Sequence, residues 1–130
     1  MIYIDASALV KLIFQETESA ELERWLTTRG DTPKVASDLS TVELMRVCRR
    51  INVEAVQDAT QLLEGMDILP VDRQVIQRAS MLTPPELRSL DAIHLASALS
   101  LRTALDAFVA YDTLLCAAAE AAGLPVASPI

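Results

Sequence analysis

Four carboxylates stand where structural elements begin. Asp5 and Asp112 directly follow apolar runs, and Glu43 and Asp91 fall in the first turns of helical patterns. Carboxylates gathered at low dielectric repel one another, so each pairing raises a pKa or requires a cation. A ligand set of oxygen alone, with no Cys or His cluster, suits Mg²⁺ or Mn²⁺ rather than Zn²⁺. Such a site can hold and polarise a phosphodiester oxygen and activate a water for in-line attack. Taken singly, each acid has a plainer explanation. Asp5 and Asp112 fit helix N-caps, and Asp91 suits the positive end of a helix dipole. Ser40-Thr41-Val42-Glu43 fits a capping box in which Glu43 reaches back to the Ser40 N–H. The joint pattern favours a shared site, because Asp91 sits in an almost wholly apolar stretch and Asp112 ends a strongly apolar strand.

The elements that must position these acids alternate along the chain. Met1 to Ile4 reads as a buried strand ending at Asp5, and Ala6 to Phe14 as a helix with Ala8, Leu9, Leu12 and Ile13 on one face. A second helix is expected over Glu16 to Thr28, with Ala20, Leu22, Trp25 and Leu26 on its apolar side. A very short strand follows at Val35-Ala36. Asp38 opens a third helix with Leu44, Val47, Cys48 and Ile51 inward, and Val53 to Gly65 forms a fourth. Ile68-Leu69 is a strand stopped by Pro70, Asp72 to Leu82 a fifth helix, and Thr83-Pro84-Pro85 a loop. From near Ser89 the chain is helical to Leu105, with Leu90, Ile93, Leu95, Ala98 and Leu99 as its core pattern. Ala107 to Tyr111 is a strand, Thr113 to Ala122 a helix closed by Gly123, and Val126-Ala127 a last strand. Short apolar strands alternating with helices indicate an α/β fold, a parallel sheet covered on both faces. In such sheets ligands bind at the carboxyl edge of the strands, where Asp5 falls.

With 130 residues the chain is expected to form one domain with a sufficient core. Hydrophobic residues make up 52% but aromatic residues only 4%, so that core must be aliphatic. A net charge of -7 argues against a protein that coats nucleic acid non-specifically. It does not exclude a nuclease whose acids are offset by metal. Cys48 and Cys116 lack metal-ligand spacing and read as two buried, reduced thiols. No signal peptide is recognisable and no apolar run reaches spanning length, so a soluble, cytoplasmic protein without membrane association is expected.

Four segments together resemble the PIN-domain nucleases, and within them the VapC-type ribonuclease toxins of toxin–antitoxin pairs. They are Ile4-Asp5-Ala6-Ser7-Ala8-Leu9-Val10-Lys11, the Ser40–Glu43–Arg46 segment, Ser89-Leu90-Asp91-Ala92-Ile93-His94-Leu95-Ala96, and Phe108-Val109-Ala110-Tyr111-Asp112-Thr113-Leu114-Leu115. Ala122-Gly123-Leu124-Pro125-Val126 matches the family's closing turn and strand. The likeness runs through essentially the whole chain, 1–130. It implies a three-layer α/β/α domain on a central, mostly parallel sheet of about five short strands. It also implies that Asp5, Glu43, Asp91 and Asp112 form the catalytic set, with Asp5, Asp91 and Asp112 binding Mg²⁺ or Mn²⁺ and Ser7 in support. The expected activity is endoribonucleolytic hydrolysis that inhibits translation. The expected partners are RNA, a cognate VapB-type antitoxin and a second copy of the chain.

His94, the only histidine, lies three residues after Asp91 on the same helix face and reads as a hydrogen-bonded core residue rather than a base. Arg46, Arg49 and Arg50 share one side of the third helix. They form either a solvated face or an RNA-tracking edge, and Lys11 is a weaker candidate of the same kind. Trp25 fits the core or a partner interface better than base stacking. A signalling receiver domain is a poor alternative, since Asp5 has no adjacent acid and no Lys or Arg follows Arg102. The closer rival is a PIN-fold protein-binding scaffold without nuclease activity.

Overall fold

The computed structural model describes residues 1–130. Its strands are β1 (Ile2–Ile4), β2 (Lys34–Ser37), β3 (Asp67–Leu69), β4 (Ala107–Val109) and β5 (Val126–Ala127). They form one all-parallel sheet in the order β3-β2-β1-β4-β5. The helices are α1 (Ala6–Ile13), α2 (Ser19–Thr27), α3 (Asp38–Ile51), α4 (Ala55–Glu64), α5 (Arg73–Ser80), α6 (Ser89–Leu99) and α7 (Thr113–Ala121).

Strand alternation divides the core between two faces. Ile2 and Ile4 of β1 join Ala36, Ala107 and Val109 against Leu9, Leu22, Leu44, Cys48 and Leu63 from α1 to α4. Tyr3, Val35 and Phe108 turn the other way, onto Leu95, Leu99, Leu115 and Ala118 of α6 and α7. Register makes Tyr3 and Phe108 neighbours across β1 and β4, and their rings stack with centroids 5.4 Å apart. The helix placement follows from handedness. Parallel crossovers are right-handed, so a chain stepping from β1 to β2 to β3 puts its helices on one face. Reversing direction from β3 to β4 and β5 puts the next helices on the other. The expected three layers result, and no helix is long and apolar enough to cross a membrane.

Several element ends differ from the sequence reading. α2 begins at Ser19 because the buried Ser19 hydroxyl donates to the carbonyls of Lys11 and Phe14, tying Glu16 to Glu18 into the turn before it. α4 begins at Ala55. α6 stops at Leu99, and a single 3₁₀ turn at Arg102–Ala104 carries the chain into β4. β4 ends at Val109, although the Ala110 N–H still bonds the Ala127 carbonyl at 3.3 Å. Leu90 and Ile51 are exposed. Both lie at helix ends, where the inward face carried by Leu95 and Leu99, or by Leu44 and Cys48, has run out. Ala20 is exposed too, and Cys116 is half-buried rather than buried.

Candidate active site

β1 and β4 are neighbours in the sheet, yet their connections leave in opposite directions, so a crevice opens beyond their carboxyl ends. Asp5 follows β1 directly and Asp112 follows β4 by three residues. Asp91 enters from the first turn of α6, and Glu43 from α3. All four line one cavity of about 240 Å³, with Ser7, Arg88 and His94 also on its wall. A larger cavity of about 530 Å³ between α5 and α6 has only Asp72 and Arg78 as charged lining. The acids therefore mark the smaller one.

Three of the acids keep a local structural duty as well. Asp5 Oδ1 caps α1, accepting from the Ala8 N–H at 3.0 Å, and accepts from Ser7 Oγ at 2.8 Å. Its Oδ2 has no partner in the chain and is left to the cavity. Asp112 Oδ1 caps α7 through the Leu115 N–H at 2.9 Å. Asp91 Oδ2 accepts from Arg88 Nε at 3.1 Å, and Asp112 Oδ2 lies 3.6 Å from Arg88 Nη2. Capping and site duty thus coexist at Asp5 and Asp112. The capping box does not form. Ser37 caps α3 instead, Ser40 lies inside the helix with its hydroxyl unpartnered, and Glu43 reaches across the cavity.

What Glu43 meets is His94. Glu43 Oε1 lies 2.7 Å from His94 Nε2, and His94 Nδ1 lies 2.8 Å from the Tyr3 hydroxyl. A carboxylate only accepts, so in the neutral ring Nε2 carries the proton and Nδ1 accepts from Tyr3. Burial pushes the Tyr3 hydroxyl well above its ordinary range, which keeps it a donor. His94 is the buried scaffold residue its context suggested, and it also holds one of the acids.

Asp5 is only 3% exposed. Burial raises its pKa, against the opposing pull of the Ala8 N–H and the Ser7 hydroxyl. The folded chain then holds this proton more tightly than the unfolded chain. Its stabilising contribution is full below the unfolded carboxyl value, about 4, and is lost as pH rises through the folded value. Asn keeps the capping oxygen without the charge. Asp5→Asn is therefore expected to raise Tm in chelator at neutral pH, with the gain shrinking as the pH is lowered toward about 4. A lowered Tm at both pH values in a melting experiment would contradict this.

The donor chemistry fits a hard divalent ion, since the cavity offers carboxylate and hydroxyl oxygen. No three acidic, histidine or cysteine side chains close around a common point as they stand. Mg²⁺ needs no such cage, because it retains water and is commonly bound through one or two carboxylates.

The basic candidates are placed differently. Arg46, Arg49 and Arg50 are exposed on α3 and do not line the cavity. Lys11 has 12% of its side chain exposed and pairs with Glu18 at 2.9 Å and Glu16 at 3.4 Å, its ammonium 4.7 Å from the Tyr111 ring centroid. Its charge is spent on the α1–α2 turn. Trp25 is half-buried, with the Arg29 guanidinium 3.9 Å from its ring centroid. Arg88, which does line the cavity, escaped the sequence reading. Its one local signal is the i, i+3 spacing to Asp91.

The profile of the PIN domain matches residues 2–121, and the chain belongs to that family. Ribonuclease VapC47 of Mycobacterium tuberculosis is 46% identical over 132 residues, covering 99% of this chain and 97% of that protein. Ribonuclease VapC46 of the same species is 41% identical over 128 residues, covering 98% and 97%. Among solved structures, M. tuberculosis VapC20, described as a sarcin–ricin loop cleaving toxin, superposes with a TM-score of 0.74 at 17% identity, covering 95% of this chain and 96% of its own. A toxin–antitoxin complex from Klebsiella pneumoniae gives 0.73 at 19% identity, covering 100% and 98%. At such identities these two likenesses are likenesses of fold.

Proposed function

We propose that this chain, a single domain over residues 1–130, is the ribonuclease toxin of a type II toxin–antitoxin pair. It hydrolyses RNA phosphodiester bonds in the cytoplasm and so inhibits translation. The observation that carries this reading is the meeting of Asp5, Glu43, Asp91 and Asp112, from four separate elements, in one cavity at the sheet's switch point. The ribonuclease names of full-length relatives above 40% identity support it.

Asp5, Asp91 and Asp112 would hold Mg²⁺ or Mn²⁺, directly or through its waters, and the ion when bound would offset phosphate charge and acidify water. Around it the chain's own groups set the geometry. Ser7 and the Ala8 N–H fix Asp5 Oδ1, so that Oδ2 faces the cavity. His94 fixes Glu43 Oε1, which leaves Oε2 to take a proton from the attacking water. Water forms the new bond to phosphorus as its proton passes to Glu43, the bond to the 3′ oxygen breaks, and that oxygen takes a proton from solvent as it leaves. Because the 2′-hydroxyl takes no part, the downstream fragment keeps a 5′-phosphate. The antitoxin of the pair covers the acids with a basic side chain, and the chain pairs with a second copy of itself.

End-group analysis of the fragments tests the chemistry. A 5′-phosphate, read out as sensitivity to a 5′-phosphate-dependent exonuclease, is expected. Fragments ending in 2′,3′-cyclic phosphate would mean attack by the 2′-hydroxyl and would contradict the assigned roles.

A further inference from the structure

The acid cavity is a poor place for a polyanion unless a cation meets the phosphate. Only one Lys or Arg lines it, Arg88, and the other basic side chain on its wall, His94, is buried between Glu43 and Tyr3. Arg88 presents two edges. Nε and Nη2 form the side edge and face Asp91 and Asp112 at 3.1 and 3.6 Å. On the end edge, Nη1 has no partner in the chain, and 74% of the side chain is exposed. Exposed ion pairs contribute little to stability, so holding α6 in place accounts poorly for this arrangement. A guanidinium anchored on one edge and open on the other matches the planar, two-point recognition of a phosphate.

We propose that Arg88 is the phosphate-binding residue of this site. Its open edge grips a non-bridging oxygen of the RNA phosphodiester while Asp91 and Asp112 hold the guanidinium at the cavity mouth. The inference rests on the ribonuclease reading and adds a substrate contact to it. Arg88 thereby places the scissile phosphorus within reach of the carboxylates. Arg46, Arg49 and Arg50, outside the cavity, can follow the strand but cannot set that position.

The test uses the Asp5→Asn protein, so that RNA stays intact, and a fluorescein-labelled mixed-sequence single-stranded RNA. Affinity is measured by fluorescence anisotropy in Mg²⁺ across a salt series. Adding Arg88→Gln is expected to weaken binding about tenfold, as for loss of a charged hydrogen-bonded contact. It should also flatten the log–log salt slope by about 0.7, one phosphate contact on a single strand. Arg88→Lys should recover part of the affinity, because charge returns without the fork. Arg24→Gln, remote from the cavity and paired with Glu21, serves as the control and should bind like the parent. Circular dichroism confirms folding, which the exposure of Arg88 makes secure.

Affinity and salt slope unchanged by Arg88→Gln would overturn the proposal. If wild-type protein still cuts the same RNA in Mg²⁺, the ribonuclease reading survives that result. Failure of wild type to cut, together with failure of Asp5→Asn to bind, would overturn both.

Discussion

Asp91→Asn is expected to lower the rate of RNA cleavage by about a thousandfold, the equivalent of several kcal/mol of transition-state stabilisation. The substitution keeps size and shape while removing the charge that shares the cavity with Asp5 and Asp112. It also frees Arg88, whose Nε is bonded to the Asp91 carboxylate. The fold should tolerate it. Asp91 occupies the first turn of α6, where a carboxylate favours the helix dipole by about 0.3–1 kcal/mol, and its partner Arg88 is exposed enough to return to water. Single-turnover cleavage beside a thermal melt separates the two effects. A rate within about tenfold of wild type, for which 1.4 kcal/mol suffices, would remove Asp91 from the catalytic set.

His94→Leu is expected to cost about 3 kcal/mol of stability and to slow cleavage about 10- to 100-fold. Leucine fills much of the ring's volume but leaves the buried Tyr3 hydroxyl without its acceptor and Glu43 Oε1 without its donor. The two losses can be pulled apart. Tyr3→Phe combined with His94→Leu replaces both buried partners with apolar groups, which is often nearly neutral. The double variant should regain much of the stability and none of the activity. His94→Gln restores a donor toward Glu43 and should recover part of the rate. Urea melts and initial rates give both readouts, and full activity in His94→Leu would show that Glu43 needs no anchoring.

What could be read from the chain was what acts locally. Asp5 announces itself because an apolar run stops at a carboxylate, and Ser7 follows two residues later within hydrogen-bonding reach of it. The sheet was legible for the same reason, since short apolar strands between amphipathic helices have few ways to bury themselves. Glu43 was legible as one acid of the joint pattern and through family resemblance, but not from its own surroundings. Its local context argued for a capping box, and the true cap, Ser37, lies three residues earlier in what reads as a strand end. The Tyr3–His94–Glu43 chain spans separations of 91 and 51 residues, so only the tertiary arrangement brings it together. Arg88 escaped because it follows a proline-rich loop and belongs to no periodic face. The α3 arginines share a visible stripe, but which way that stripe faces depends on how α3 is rotated against the sheet.

Incubation of cellular RNA with purified, antitoxin-free protein in Mg²⁺, Mn²⁺ or EDTA, beside Asp5→Asn, tests the nuclease assignment most directly. Discrete fragments that require the divalent ion and vanish with Asp5→Asn are expected. No cleavage in either metal by correctly folded wild-type protein would contradict the assignment and leave the family's fold serving as a protein-binding scaffold. Cleavage undiminished in Asp5→Asn would contradict the site.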